Sequence, residues 1–467
     1  MFAANRGSAA TTLRTNERAG YRPIVFGIRN ALSRGRSNVT EKSLYLWVCY
    51  ANRLPVRDRS RFGESEVLRL EHGWRLVDQA RECFGKHVPL DALDKSWQDP
   101  RRTFKAEDYL SLLLIGLFNP TVRTLRGLCS ATHLPRLQRQ WGCGSMSLGS
   151  TSEAQSLIDP ELLRPLIAEL SEQVLAQRQQ AGAIPGGKDA RLGLFDLRAI
   201  DSTVLSALPR MAWAVYGGGR PGFINNAVRF HLSFDPIATR PVEFFVSEGR
   251  QCERKVWKEH HQPAEPEVTS LGDRYYGQNF SLLEEIARKS GHFVVRLREH
   301  DPLEVVEEFP VSEADKAAGV VRQAWVLLGK RPRPNKKPIR IIWLQRPEKM
   351  IVLATDFDAD RLAAELAAQM YRHRWQVEFF FRWVKCLLGC KHWMAESRQG
   401  VTLQLYLVLV AALLLQLRCG RRPTRRMMEL LQFYFQGLAS ARDLSLGLER
   451  EREMAEAAAA RQKIRHF

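Results

Sequence analysis

The chain has 467 residues, 45% hydrophobic and 26% charged; this excludes global disorder and is long enough for two or three domains. Its 70 Lys and Arg outnumber 51 Asp and Glu, and the formal net charge of +19 points to a polyanionic partner, nucleic acid ahead of an anionic membrane. Eight cysteines scattered over this length argue against a disulfide scaffold, and Met1 to Asn16 has no apolar segment of the signal-peptide kind, so a cytoplasmic protein is expected.

Residues 1–40 are polar and Arg-rich and read as a basic tail within a loosely defined N-terminal region, 1–95. A helical region, 96–185, follows. Phe104 to Leu117 has the spacing of one amphipathic helix closed by Asn119-Pro120. Two short apolar stretches around a small-residue turn then suggest a helix-turn-helix-like unit, in which Arg123, Arg126, Arg136 and Arg139 would meet DNA phosphates. The alternative is an ordinary helical hairpin with a solvated basic face. Gln155 to Gln179 reads as a further helix, and Ala181 to Lys188 as a Gly/Pro linker.

After the linker the apolar period changes. Arg191 to Leu205, Phe223 to Phe234 and Pro241 to Val246 read as strands. A helix around Arg254 to His260 follows, then a short strand leading to Asp273, a helix from Phe280 to Lys289 and a strand from His292 to Arg298. This strand-strand-strand-helix-strand-helix-strand order is that of an RNase H-like core, whose first part would be 186–299. Residues 300–360 form a β-rich insertion with strands near Arg322 to Leu328, Ile339 to Gln345 and Met350 to Thr355. The basic, Pro-rich stretch from Gly329 to Pro338 must be a loop, able to grip phosphates or to end a solvated hairpin. Trp325 and Trp343 could stack on a displaced base, but a core role is the plainer expectation for each. The core would resume over 361–440, and 441–467 would be a charged C-terminal helix or tail. The apolar run from Leu405 to Leu415 is too short to span a bilayer and reads as a buried helix. Cys386, Cys390 and His392 lack a second ligand pair for zinc, and the Gly-rich stretch from Gly217 to Gly222 precedes a strand, unlike a nucleotide-binding loop.

The chemistry concentrates in Tyr371-x-x-Arg374-x-x-x-Glu378-x-x-x-x-x-x-Lys385, in a stretch, 361–386, without Pro or Gly. At about 100° per residue, Arg374, Glu378 and Lys385 fall roughly 60°, 20° and 40° to one side of Tyr371, a stripe about 21 Å long. A carboxylate flanked by two cations and a phenol suits a metal ion beside a phosphate backbone. An i,i+4 ion pair on a solvated face would use the same residues.

This spacing is similar to the Tyr-Arg-Glu-Lys signature of DDE transposases of insertion-sequence family four, matched at all four positions. Leu387-Leu-Gly-Cys, Ser397-Arg-Gln-Gly-Val and Asn119-Pro-Thr-Val-Arg-Thr-Leu-Arg-Gly-Leu-Cys also resemble that family, and the likeness spans roughly residues 100–435. The resemblance implies an α/β protein with an RNase H-like catalytic core, preceded by an α-helical DNA-binding region. It implies two further carboxylates. Asp201, in Ala-Ile-Asp-Ser-Thr-Val, fits the first; Asp196, five residues earlier, would face the other side of the strand. Asp273, in Leu-Gly-Asp-Arg-Tyr-Tyr-Gly, fits the second, whereas Asp235 before Pro236 reads as a turn residue. Asp201, Asp273 and Glu378 would then be catalytic and hold Mg²⁺, with Mn²⁺ able to substitute. Tyr371, Arg374 and Lys385 would bind DNA. The partners implied are double-stranded DNA, both element ends and target, and a second copy of the chain on paired ends, with no membrane. The expected activity is cut-and-paste transposition at terminal inverted repeats. A retired, DNA-binding derivative and a cellular RNase H-like nuclease are the competing readings.

Overall fold

The computed structural model describes residues 75–464, apart from 89–90, 92, 94, 101–103, 120, 136, 139–143, 181–189, 218–224, 261–267, 279, 290, 330–336 and 388–392. The expected basic tail, Arg136 and Arg139, the Ala181 to Lys188 linker, Gly218 to Gly222, most of the Gly329 to Pro338 loop, and Cys390 with His392 lie outside the described residues.

Among the described residues, five helices precede the sheet: α1 (Arg75–His87), α2 (Ala106–Phe118), α3 (Leu125–Thr132), α4 (Leu148–Leu157) and α5 (Arg164–Gln180). The helix expected over Gln155 to Gln179 is interrupted. Asp159 caps a short 3-10 turn at Pro160–Leu163, and Pro160 lacks the N–H that a continuous helix would need. The amphipathic reading of α2 also needs correction: all its residues except Glu107 are buried. It lies between neighbours, with α1 and α3 on its flanks and a later helix, α12, packed against it.

The strands are β1 (Asp196–Ser206), β2 (Val215–Tyr216), β3 (Asn225–Asp235), β4 (Arg240–Glu248), β5 (Val268–Gly272), β6 (His292–Leu297), β7 (Leu303–Phe309), β8 (Val320–Leu328), β9 (Ile339–Arg346) and β10 (Lys349–Thr355). Helices α6 (Glu253–His260), α7 (Arg274–Gly277), α8 (Phe280–Arg288) and α9 (Glu313–Ala317) are interspersed among them. The order strand-strand-strand-helix-strand-helix-strand expected from the sequence is present, with the two-residue β2 and the one-turn α7 as additions. β4, β3 and β1 pair antiparallel, and β1, β5 and β6 pair parallel. β10 then joins β6 antiparallel, followed outward by β9, β8 and β7, so the strands of 303–355 extend the same sheet. β7 was not anticipated. Its consecutive Val305-Val306 and three glutamates lack a period-2 pattern because it is an exposed edge strand.

The sheet is covered on both faces, which explains near-continuous apolar runs such as Phe293-Val-Val. Val294 joins the larger core, with Leu197, Ala199, Phe230 and the long helices; Phe293 and Val295 join a second core with Ile200, Trp257, Leu282 and Ile286.

Among the described residues, five helices follow: α10 (Ala364–His373), α11 (Trp375–Leu387), α12 (Arg398–Cys419), α13 (Arg425–Gln436) and α14 (Ala441–Ile464). The Leu405 to Leu415 run is buried in α12, as expected; α12 is long and apolar enough to cross a membrane, yet 89% of its apolar window is buried inside the protein. It packs against α1, α2, α4 and α5. Gly420 ends it in the left-handed conformation, φ 68°, which glycine adopts without a Cβ clash.

Candidate active site

Asp201 lies on β1 at the spacing of Leu197, Ala199 and Leu205, which puts its carboxylate on the face of the larger core. Asp196 falls on the opposite face, as expected, and is paired with Arg198. Ala199 is level with Leu271 in the parallel pairing of β1 and β5. Two residues further along each chain come Asp201 and Asp273, at the C-terminal side of the parallel pair, where adjacent strands are about 4.8 Å apart. Open α/β sheets place their ligand sites at that end of the strands.

Asp273 is also the N-cap of α7: its Oδ1 accepts the Tyr275 N–H at 2.8 Å. The turn is held close to the sheet by Gly277. A Cβ there would stand 2.1 Å from the Arg296 carbonyl oxygen of β6. Only glycine permits that approach, and it fixes the height of Asp273 above the strand ends.

The expected 361–386 helix is divided at Arg374. Arg374 keeps helical dihedrals, but its N–H bonds to the Tyr371 carbonyl and its own carbonyl accepts the Val377 N–H, both at three-residue spacing. The tightened turn faces the site. Arg374 is 4% exposed; its Nη2 donates to Glu378 Oε1 at 2.6 Å and its Nη1 lies 3.8 Å from Asp201 Oδ2. One guanidinium therefore spans two carboxylates that are far apart in sequence. Tyr371 is buried, with the Arg374 guanidinium 5.7 Å from its ring centre, and burial raises its phenol pKa. Phe380 and Phe381 anchor α11 to β3 through Phe234 (5.1 Å) and Phe230 (6.5 Å). Each buried ring contributes roughly 1.5–3 kcal/mol, so aromatic packing on the sheet holds Glu378 in place. Lys385 is half-buried, two turns further on.

Burial is the largest influence on Asp201 and pushes its carboxyl up to about 7. The Ser202 N–H and Arg374 oppose the rise, while Asp273 and Glu253 add to it. Glu253, the first residue of α6, escaped the sequence reading. It pairs with Arg229, which also donates to Ser202 Oγ at 3.1 Å, and it accepts from the Tyr276 hydroxyl at 3.2 Å. Nothing in Gln251-Cys-Glu-Arg-Lys marks it; the tertiary fold alone brings it near Asp201.

The donor set is all carboxylate, the chemistry that hard divalent cations take. Asp201 has Asp273 and Glu253 as acidic neighbours and Arg374 as a cation in reach, so the donor chemistry, though not the present spacing, suits such an ion. Among the described residues no three Asp, Glu, His or Cys side chains converge closely enough to hold one with Arg374 standing between Asp201 and Glu378.

The other expected residues lie elsewhere. Arg123 is half-buried in the turn before α3 and Arg126 is exposed on α3; neither is among the residues bonded to Asp201, Asp273 or Glu378. Asp235 is a turn residue as expected, accepting the Ile237 and Ala238 N–H groups. Trp325 packs edge-on to Phe309, and Trp343 is covered by the Arg322 guanidinium at 4.7 Å.

Residues 193–414 match the family model described as the transposase DDE domain. A protein of Sinorhizobium fredii named as a transposase is 26% identical over 276 residues, 58% of this chain and 74% of its own length. One from Geobacillus stearothermophilus, named as a transposase for insertion sequence element IS5377, is 23% identical over 71% of this chain and 81% of its own. An Escherichia coli K12 protein, named as a transposase for insertion sequence element IS186A, is 22% identical over 62% of this chain and 85% of its own. Among solved structures, a piggyBac transposase synaptic complex with hairpin DNA aligns over 85% of this chain and 83% of that one, with 13% identity and a TM-score of 0.38.

Proposed function

We propose that this protein, a transposase of the insertion-sequence type on the strength of those matches, binds the terminal inverted repeats of its element, cuts the DNA there and joins the ends to target DNA. The observation that carries the proposal is the meeting of Asp201 and Glu378 on Arg374, with Asp273 beside Asp201 at the strand ends. These carboxylates belong to an RNase H-like core in this reading, and they would hold divalent cations, Mg²⁺ or Mn²⁺. Such ions, when bound, favour an ionised attacking water or 3′-hydroxyl and offset charge on the leaving oxygen.

The chain's own groups do the rest. Burial and the aromatic anchors of α11 fix the carboxylates, so little reorganisation accompanies reaction. Arg374 neutralises Asp201 and Glu378 before DNA arrives; as a guanidinium it can turn to a phosphate with paired N–H donors. Lys385, two turns along the same helix, and Tyr371 flank the path of the backbone. Arg123 and Arg126 would contact phosphates from the helical region. Pairing two element ends calls for two copies of the chain on DNA.

A labelled duplex carrying the element's terminal repeat tests this. Wild type should cut at the repeat boundary with Mg²⁺ and not with EDTA, and Glu378→Gln should bind the same duplex without cutting it. Cutting by Glu378→Gln at the wild-type rate would remove Glu378 from the chemistry. Binding without cutting by wild type would leave a DNA-binding protein derived from a transposase.

A further inference from the structure

The flank of α11 beside the stripe that holds Glu378 carries a second cationic feature. Phe379 follows Glu378 directly, and its ring is 40% exposed. Two guanidinium groups lie over that ring: Arg382, one turn further along α11, at 5.4 Å and Arg422, from the turn between α12 and α13, at 4.8 Å. The left-handed Gly420 reverses the chain after α12, and Arg421 is taken up by Glu451. Arg422 is thereby turned back onto α11, where it donates to the neutral Gln376 Oε1 at 2.7 Å. Neither Arg382 nor Arg422 has a carboxylate partner among the described residues. The neighbouring cations Arg421, Arg425 and Arg374 all have one.

Both guanidinium groups are exposed, and with no acid neutralising either, the pair attracts an anion. The ring packs against both groups and the Gln376 bond holds one of them, and a guanidinium keeps further N–H donors in the fork geometry that phosphate accepts. In the proposed function the site also lies beside the path of the cut strand. Arg382 is four residues beyond Glu378, about 6 Å along the helix axis; that is close to two nucleotide steps at 3.4 Å each.

We propose that Arg382, Phe379 and Arg422 form a phosphodiester-binding cradle that grips the DNA backbone within about two nucleotides of the bond cut at Glu378. This rests on the transposase reading for its geometry. The gripped phosphate belongs to the element end or to the target strand.

Equilibrium binding to two duplexes, one with the terminal repeat and one of unrelated sequence offered to protein already holding the repeat, is measured across a salt series. Wild type is compared with Arg422→Gln, Arg382→Gln and Arg422→Lys. Each arginine that meets a phosphate contributes about 0.9 to the slope of log affinity against log salt. Arg422→Gln and Arg382→Gln should each flatten the slope by about that amount, and Arg422→Lys should keep it. A flattened slope on the repeat duplex assigns the cradle to the element end; on the second duplex, to the target. Slopes equal to wild type on both duplexes overturn the proposal, as does affinity lost without a change in slope, which marks a merely structural role. Failure of wild type to cut, with the slopes still flattened, would sink the transposase reading and leave the cradle standing.

Discussion

Replacing Asp201 by Asn should change how stability responds to pH, and the sign is fixed by the burial of this carboxyl. In the unfolded chain its pKa is about 3.8; in the folded protein it is pushed up to about 7. The folded state therefore binds the proton more tightly. The stabilisation this gives is complete below pH 4 and is lost as pH rises through 7, where the folded protein must carry a buried charge. With these two pKa values the loss between pH 5 and pH 8 is about 2.5 kcal/mol. The side chain is 18% exposed, so solvent screening trims that figure only modestly. Asn keeps the size and the acceptor for the Ser202 N–H but does not titrate. Urea unfolding in EDTA at the two pH values would give the difference between wild type and Asp201→Asn, in which titrations common to both cancel. Asp201→Asn should gain on wild type by about 2 kcal/mol on going from pH 5 to pH 8. A difference that is the same at both pH values, or that moves the other way, would show that burial does not govern this carboxyl.

Further outcomes follow from neighbouring groups. Gly277→Ala should destabilise the protein by about 3 kcal/mol or more and abolish cutting, because its methyl would collide with the β6 backbone; a thermal melt unchanged from wild type would contradict the close approach. Arg374→Gln removes the cation shared by Asp201 and Glu378, so Mg²⁺ should raise the melting temperature of the variant more than that of wild type. A smaller gain would refute the counter-ion role. Lys385→Ala should weaken binding to the terminal-repeat duplex and flatten its salt slope by about 0.9, and an unchanged slope would remove it from the DNA path. Leu409→Ala, in the fully buried centre of α12, should cost about 2–5 kcal/mol in urea unfolding without altering the metal dependence of cutting.

What could be read from the sequence divides by the range of the interactions involved. The strands β1, β3, β5 and β6 announce themselves through apolar period and bounding turns, which are local. The stripe from Tyr371 to Lys385 survives the interruption at Arg374 because that residue keeps helical dihedrals. The amphipathic reading of α2 failed for a tertiary reason: its outer face is covered by helices distant in sequence, so its polar positions are few and its period is blurred. Glu253 and Arg422 stayed hidden for a related reason. Each lies in an unremarkable polar stretch, and its neighbours come from other elements: Asp201 and Tyr276 in one case, Phe379 and Gln376 in the other.

The same distinction bears on the chemistry. A signature can specify which carboxylates belong to a site, but their proton affinity is set by what the fold removes from around them. Asp201 would be an ordinary carboxyl in an exposed strand. On this sheet it is half-buried and largely desolvated, with Asp273 one strand away and Glu253 near, and Arg374 is the cation that both it and Glu378 touch. Under the proposed function these carboxylates have two states, one closed on the arginine and one open to an ion and a phosphate. The guanidinium released in the second state is itself a phosphate ligand, so the arrival of DNA and the loading of the carboxylates should favour one another. Tighter Mg²⁺ binding in the presence of the terminal-repeat duplex, lost in Arg374→Gln, is the thermodynamic signature of that coupling, and equal Mg²⁺ affinity with and without DNA would rule it out.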